Sequence, residues 1–597
     1  MSISASQAEK LSHEVNLSGS TLSFLHLSYQ VNPKGMKGRL LVDDVSVTVR
    51  AGKSTLLDLM ALRKTPLDGA LVQQMSTFVE HEDALLGVLT VRESVSYALR
   101  LHLPMLPLRE VAARVNRVLT ALGLQFCANQ RIGTPISRGI SGGQKRRVTA
   151  ACAMVTFPHI LLLDEVTSGL DSTSAREVMS AIRTLAVAEG MIVIATIHQP
   201  SLETLAQFTN ILLLADGSTC FSGKADDLEG FLERWGHPVG KFTTPSDHAM
   251  NFLNKDFTQT TGQEISSDAR AFRNFYLSTN PSVPDSVFKV ADPEAFVGVD
   301  TESGRSGALG TLFWNTMVLS ERTAVNYSRN MLAYGVRAGM YAGMGLMLAT
   351  IWIRLGSDDS TINDRLSVHF FSVAFLAFMS VAGIPGFLEE RSVCYRETKN
   401  GLYSTLPFVL SNTLINMPFL FVCTVLFTLI LYWAIGLHPG RSAFCRFLAF
   451  LYLAILAAES QMLIIASFLP IFVAALVIGA FVNGFWMSVG GYFIKARSLP
   501  RFWFYSFHYM DYQRYAFELL ANSDFCGLTF KCVTSVNGSC DCAYPSSTPE
   551  TCTVSGADVL DYLGIGYISY GKWAAILIAI TLIYRILLYF ALNVRSN

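Results

Sequence analysis

Hydrophobic and polar positions divide this chain into two unlike halves. Over residues 1–310 apolar residues come in short groups broken by charge and glycine, whereas 331–597 holds long runs almost free of charge. A helix needs about 20 apolar residues to cross the hydrocarbon core. Runs of that order predict six spans, near 331–354, 366–388, 405–437, 447–469, 471–494 and 573–594. Arg337 and Arg354 flank the first and are expected to snorkel. His369 is the ionisable group of the second, and Arg585 interrupts the last. The stretch 447–494 carries Glu459 as its one charge and is expected to fold as a hairpin turning near Pro470. A carboxylate at that depth is either functional or a hydrogen-bonded packing element.

The first half has the shorter periods of an α/β domain. Residues 22–49 alternate, with Val45, Val47 and Val49 on one face, and predict edge strands. Ile160–Leu163 and Met191–Thr196 read as buried strands, and Val148–Val155 as an apolar helix segment. Composition agrees with a membrane protein: 51% apolar and 15% charged residues, and a mean hydropathy of +0.36. Lys plus Arg and Asp plus Glu both number 46, so no basic excess points to nucleic acid. The opening MSISASQAEKLSHEV lacks the apolar core of a signal peptide.

Of the eleven cysteines, five crowd together as Cys526, Cys532, Cys540, Cys542 and Cys552, beside the glycosylation triplet Asn537-Gly538-Ser539. Such density beside a sequon predicts an oxidising, extracytoplasmic loop over 495–572, with disulfides among these five and one thiol left over for a partner chain. If the first half is cytosolic, an odd number of crossings must precede that loop, and five do. Arg391, Arg396 and Lys399 then fall inside, as positive residues prefer, while Lys495, Arg497 and Arg501 fall outside against that preference.

The chemistry concentrates in the first half. Gly52-Lys53-Ser54-Thr55 matches the end of a phosphate loop, G-x-x-x-x-G-K-[ST], in which backbone amides cradle phosphates, the Lys reaches them and the hydroxyl holds magnesium. Five residues back stands Val47 where the first Gly belongs, and β-branched residues resist the positive φ of such a cradle. The helix half of the loop is therefore expected and the strand half is not. Ser141-Gly142-Gly143-Gln144 opens a helix with exposed amides suited to an anion. Asp164 ends a buried strand where magnesium is held, and Glu165 beside it suits a water-polarising base. His198, after the next strand, is placed to hydrogen-bond a terminal phosphate. Tyr29 is an adenine-stacking candidate.

Ser141–Gln144, Asp164-Glu165, Asp171 and His198, in this order, resemble the ABC transporter superfamily. An ATPase half followed by six spans resembles its G (white–brown) subfamily of half-transporters, as do Leu89-Thr90-Val91-Arg92-Glu93, Glu389-Glu390-Arg391, Tyr395-Arg396-Glu397 and Tyr403. The resemblance implies a P-loop-type ABC ATPase domain with an incomplete sheet over 22–255, after a tail at 1–21. A linker and connecting-helix region at 256–312 then leads to an all-α six-helix transmembrane domain at 313–597. It further implies ATP and Mg2+, a homo- or heterodimer, and export of hydrophobic or amphipathic small molecules or lipids across a plasma-type membrane. Phe375 and Phe378 would line a greasy cavity at the dimer axis. Each ATP would lie between one chain's phosphate loop and the other's signature Ser141–Gln144, with Asp171 in the D-loop. Against that pattern, roughly a dozen residues around the phosphate loop are missing, and His81 stands where a magnesium-touching glutamine belongs. The alternative is a partner subunit that does not hydrolyse ATP, or an internally deleted chain, donating only its signature.

Overall fold

The computed structural model describes residues 76–81, 83–134, 137–215, 218–241, 243–253, 266–279, 308–330, 334–469, 471–494, 498–534, 540–547, 551–566 and 568–596, with strand backbone alone at 14–18, 21–31, 39–50 and 54–56. Two compact units emerge, one of residues 1–314 with 400–403, the other of 315–399 with 404–597.

In the first unit the described strands form one sheet. They are β1 (Glu14–Ser18), β2 (Thr21–Val31), β3 (Arg39–Arg50), β4 (Ser54–Leu56), β5 (Ser76–Val79), β6 (Ile160–Leu163), β7 (Ile192–Ala195), β8 (Asn210–Ala215) and β9 (Ser218–Lys224). Their order is β1-β2-β3-β9-β8-β4-β7-β6-β5. The alternating 22–49 region is antiparallel β2–β3, with register shifts between Phe24 and Gln30. The buried strands are parallel: β5, β6 and β7 pair in register, and β6 and β7 are wholly buried.

The sheet corrects one expectation. Ser54 and Thr55 do not open a helix; they are strand residues of β4, parallel to β7 at Ser54↔Val193, Thr55↔Ile194 and Leu56↔Ala195, and touching β8 at Thr55↔Asn210. The cause is the need of buried strands for partners. Left open, facing edges of β7 and β8 would bury unsatisfied amides and carbonyls. The nearest chain segment closes the gap instead, and Thr tolerates strand geometry well. The repair is thin. β4 meets β8 through one residue pair, and β3 meets β9 only at Asp43↔Ser218, so the sheet has the incompleteness expected of it.

Helices α1 (Val91–His102), α2 (Leu108–Ala121), α3 (Gly142–Met154) and α4 (Ser172–Glu189) pack with the buried strands. Thr90 starts α1 with a capping box, its hydroxyl accepting from the Glu93 amide while the Glu93 carboxylate accepts from the Thr90 amide. That explains the Leu89–Glu93 stretch as a helix start.

The second unit is helical: α5 (Val336–Ile351), α6 (Ile362–Met379), α7 (Ile384–Lys399), α8 (Thr405–Ile435), α9 (Arg441–Phe468), α10 (Phe472–Val489), α11 (Tyr512–Phe525) and α12 (Tyr570–Ser596). Among the described residues five helical stretches are long and apolar enough to cross a membrane, and α5 is shorter and apolar. The second candidate is one 41-residue stretch, Asp359–Lys399, because α6 runs into α7 through a single turn of 3₁₀ helix. The 447–494 run lies in two helices, α9 and α10.

Several ionisable residues of these helices hydrogen-bond across the bundle. Arg337 does not snorkel. It is 1% exposed, and its guanidinium meets Glu459, with Nη1 3.1 Å from Oε1. Asn416 donates to the same oxygen at 3.1 Å. Arg585 donates to Ser460 Oγ at 3.0 Å and Asn412 Oδ1 at 3.2 Å. Asp524 gathers Arg365 at 3.3 Å, His369 Nε2 at 3.1 Å and the His438 amide at 2.7 Å. Arg391, of the Glu389-Glu390-Arg391 stretch, donates to the Ser467 and Leu469 carbonyls at 3.3 and 2.9 Å, where a cation suits the carbonyl end of α9. Glu459 is thus a packing partner in this arrangement. Arg337→Met alone should cost about 3–5 kcal/mol, by leaving a buried carboxylate uncompensated, while adding Glu459→Met should restore most of it. Melting the purified single and double variants tests this; additive losses would refute it.

Phe375 and Phe378 are half-buried, and Phe375 stacks on Phe371 at 5.2 Å. Cys532 and Cys542 form a disulfide, and Cys552 is disulfide-bonded too. Cys526 is an exposed free thiol, so it leaves the disulfide set. The Cys540 side chain and Asn537 lie outside the described residues.

Candidate nucleotide site

The signature turn is built by local hydrogen bonds. Ser141 caps α3: its hydroxyl accepts from the Gln144 amide at 3.3 Å, and Gln144 Oε1 accepts from the Ser141 amide at 2.8 Å. A Cβ built on Gly142 would meet nothing within 4 Å, whereas one on Gly143 would come within 2.9 Å of Leu170 Cδ2. Gly142 is therefore not needed for packing, and the helix start is open to an incoming anion.

One turn on, Arg146 is 4% exposed and ties three segments together. Its Nη1 donates to the Glu80 and His81 carbonyls at 2.6 and 2.7 Å and lies 3.3 Å from Asp83 Oδ1. Its Nη2 donates to the Asp164 carbonyl at 2.5 Å. Thr149 Oγ1 adds a bond to Asp83 at 2.8 Å. The signature helix is thus joined rigidly to the His81 loop and to the acidic end of β6. Arg146, Asp83 and Thr149 were not legible as site residues, since a Lys145-Arg146-Arg147 run reads equally as a solvated helix face.

At the end of β6, Thr196 orders the acidic pair. Its hydroxyl donates to Asp164 Oδ1 at 2.8 Å and accepts from the Glu165 amide at 3.0 Å. Glu165 and Gln199 both have φ +46°. Left-handed backbone at non-glycine residues costs about 1–3 kcal/mol and tends to collect at functional sites. Glu165 and His198 line one cleft of about 640 Å³ with Ser168, Gln199, Ser201 and Asp247. His81 Nε2 lies 3.3 Å from Glu165 Oε2, both groups substantially exposed, so the residue in the glutamine's place contacts the carboxylate itself. Asp171 caps α4, accepting from the Ser174 amide at 3.0 Å, and hydrogen bonding from Ser174 holds its carboxyl below the ordinary range.

Glu165, His198, His81 and Asp164 are therefore placed where β5, β6 and β7 end. On the phosphate-loop side the structure describes the backbone of 54–56 alone. Ser54 and Thr55 run in a strand, so the row of free amides that opens a helix is not formed there. Gly52 and Lys53 lie outside the described residues, as does the Tyr29 side chain, whose backbone belongs to β2. Phosphate and Mg2+ fit the open start of α3 and the acidic end of β6. They do not fit the backbone at 54–56.

The ABC transporter family matches residues 51–168, and the ABC-2 type transporter family residues 315–525. ABC transporter G family member 11 of Arabidopsis thaliana is 34% identical over 581 residues, covering 92% of this chain and 80% of that protein. This chain belongs to the ABC transporter G family. Member 1 of Petunia hybrida, at 31% identity, and member 13 of Arabidopsis thaliana, at 30%, each cover 92% of this chain and 85% of their own length. As a G-family half-transporter it couples an ABC ATPase domain to an integral, multi-pass membrane domain. The ABC transporter match begins at residue 51, one residue before Gly52-Lys53-Ser54-Thr55.

Proposed function

We propose that this G-family chain is one half of a dimeric exporter of hydrophobic or amphipathic small molecules or lipids, and that it serves its partner's ATP rather than its own. Its Ser141–Gln144 turn closes over ATP and Mg2+ held on the partner's phosphate loop. Closure drives the membrane helices from inward- to outward-facing, with Phe375 and Phe378 on the apolar path, in a plasma-type membrane. The observation that carries the one-sided reading is the strand at Ser54–Leu56, parallel to β7, where a phosphate-binding helix start would have to be. The partner is accordingly a different G-family chain with a complete G-x-x-x-x-G-K-[ST] loop. The pattern of whole motifs on the signature side supports transport, and the strand argues against a self-sufficient homodimer.

Photolabelling with azido-ATP tests it. In a co-purified heterodimer the label is expected on the partner and not on residues 45–60 of this chain. Strong labelling at Lys53, or vanadate-sensitive ATPase activity from this chain alone, would reject the reading.

A further inference from the structure

The carbonyl end of α9 gathers more positive charge than it can balance. Arg391 of α7 donates through Nη1 to the Ala466, Ser467 and Leu469 carbonyls, the last two at 3.3 and 2.9 Å. Arg595, near the end of α12, donates to the same Ser467 carbonyl at 2.9 Å. The two guanidiniums therefore meet at one oxygen. Among the described residues no carboxylate faces Arg391, whose titratable neighbours are Tyr395 and Arg595. A helix end carries only about half a negative charge. Two guanidiniums set against it leave a positive excess.

Hydrogen-bond donors are left over as well. Arg391 is 6% exposed, and its Nε–H is buried without an acceptor among the described residues. Tyr395 lies one turn on, with its ring centroid 5.7 Å from Arg391 Cζ and its hydroxyl beside Arg595. That hydroxyl is likewise buried without an acceptor. Arg595 is exposed, and a guanidinium carries several more N–H donors than the one held by Ser467. The set is cationic, made of donors, and open to solvent through Arg595. Its complement is an anion with several oxygens, and guanidiniums hold phosphate by paired, charge-assisted bonds.

Position selects the kind of phosphate. With the ATPase half in the cytosol, α9 runs inward and α12 ends inside, so the cluster lies at the cytosolic face of the bilayer. Cytosolic leaflets hold anionic lipids, and basic pockets between membrane helices at that face take their headgroups. Leu587, Phe590 and Val594, exposed at helical spacing on α12, lead away from Arg595 as a surface for acyl chains.

We propose that Arg391, Arg595 and Tyr395 form a site for the phosphate of one anionic phospholipid of the cytosolic leaflet. The headgroup joins α7, α9 and α12 at their inner ends. The proposal rests on the inside placement of those ends and not on which chain's ATP is hydrolysed.

Native mass spectrometry of the full-length protein tests it, with release from detergent micelles carrying equal amounts of palmitoyl-oleoyl phosphatidylglycerol and palmitoyl-oleoyl phosphatidylcholine. Choline neutralises the second lipid, so preferential retention of phosphatidylglycerol is expected. Arg595→Ala should lower that retention about fivefold, the effect of one cation near an anionic lipid. The variant should fold, because Arg595 is exposed and Arg391 keeps the Ser467 carbonyl. Lys399→Ala removes an exposed cation of α7 outside the cluster and should leave the preference in place. Thermal melting in nanodiscs of the two lipids gives a second reading. Phosphatidylglycerol should raise the melt of the unmutated protein and not that of Arg595→Ala, since a ligand that binds only the folded state stabilises it. The proposal is overturned if phosphatidylcholine is retained equally, if Arg595→Ala keeps the preference, or if Lys399→Ala lowers it as much. It is also overturned if millimolar inorganic phosphate displaces the lipid, which would make this a site for free phosphate.

Discussion

In a dimer of this chain with a complete G-family half-transporter, Gly142→Asp is expected to lower ATP hydrolysis by about 10²-fold or more. Glu165→Gln in the same chain should lower it at most a few-fold. The contrast follows from which nucleotide each residue can reach. Gly142 begins α3, where open amides and the helix dipole favour a phosphate, and an added carboxylate would repel it. The substitution should leave the fold intact, because space beside Gly142 is open and an acid suits a helix's first turn. Glu165 would serve ATP on this chain's own phosphate loop, which the strand at Ser54–Leu56 does not provide. Steady-state ATPase assays on the co-purified dimer decide between them. Equal losses from the two substitutions would mean that this chain's own site turns over.

Arg146→Ala should destabilise the ATPase domain by about 3–5 kcal/mol, more than any surface substitution on α3. The guanidinium satisfies the carbonyls of Glu80, His81 and Asp164 and faces Asp83 from a buried position. Its removal takes this donor from the three carbonyls and the counter-charge from Asp83, which keeps its bond from Thr149. Arg146→Lys should rescue little, since a single ammonium cannot span a fork of contacts directed to both β6 and the His81 loop. Denaturant melts of the full chain, read by a probe in the ATPase domain, would measure the loss. A change under about 1 kcal/mol for Arg146→Ala would show that the three segments hold together without it.

The two halves differ in how much their sequence discloses. The signature turn was legible because its structure is local: Ser141 and Gln144 are three residues apart and bond to each other. Thr90 and Glu93 follow the same rule. The membrane helices were legible because a long uncharged run has few other ways to satisfy its backbone away from water. The buried strands Ile160–Leu163 and Ile192–Ala195 were likewise given away by short apolar runs ending at polar residues.

The sequence by itself determined the family, the order of ATPase and membrane halves, the intact signature and acidic strand end, and the loss in the phosphate loop. Only the tertiary structure decided what fills that loss. Gly52-Lys53-Ser54-Thr55 read as a helix start by local motif, yet two buried strands with open edges draw Ser54–Leu56 between them. Tertiary structure also decided that Arg337 is buried against Glu459, 122 positions away, rather than at the membrane edge. It alone joined Arg146 to His81 and Asp164. Periodicity and short motifs report neighbours within about one helical turn or along one strand. Hydrogen-bond demand across a sheet, and charge pairing inside a bundle, are settled between residues that only folding brings together.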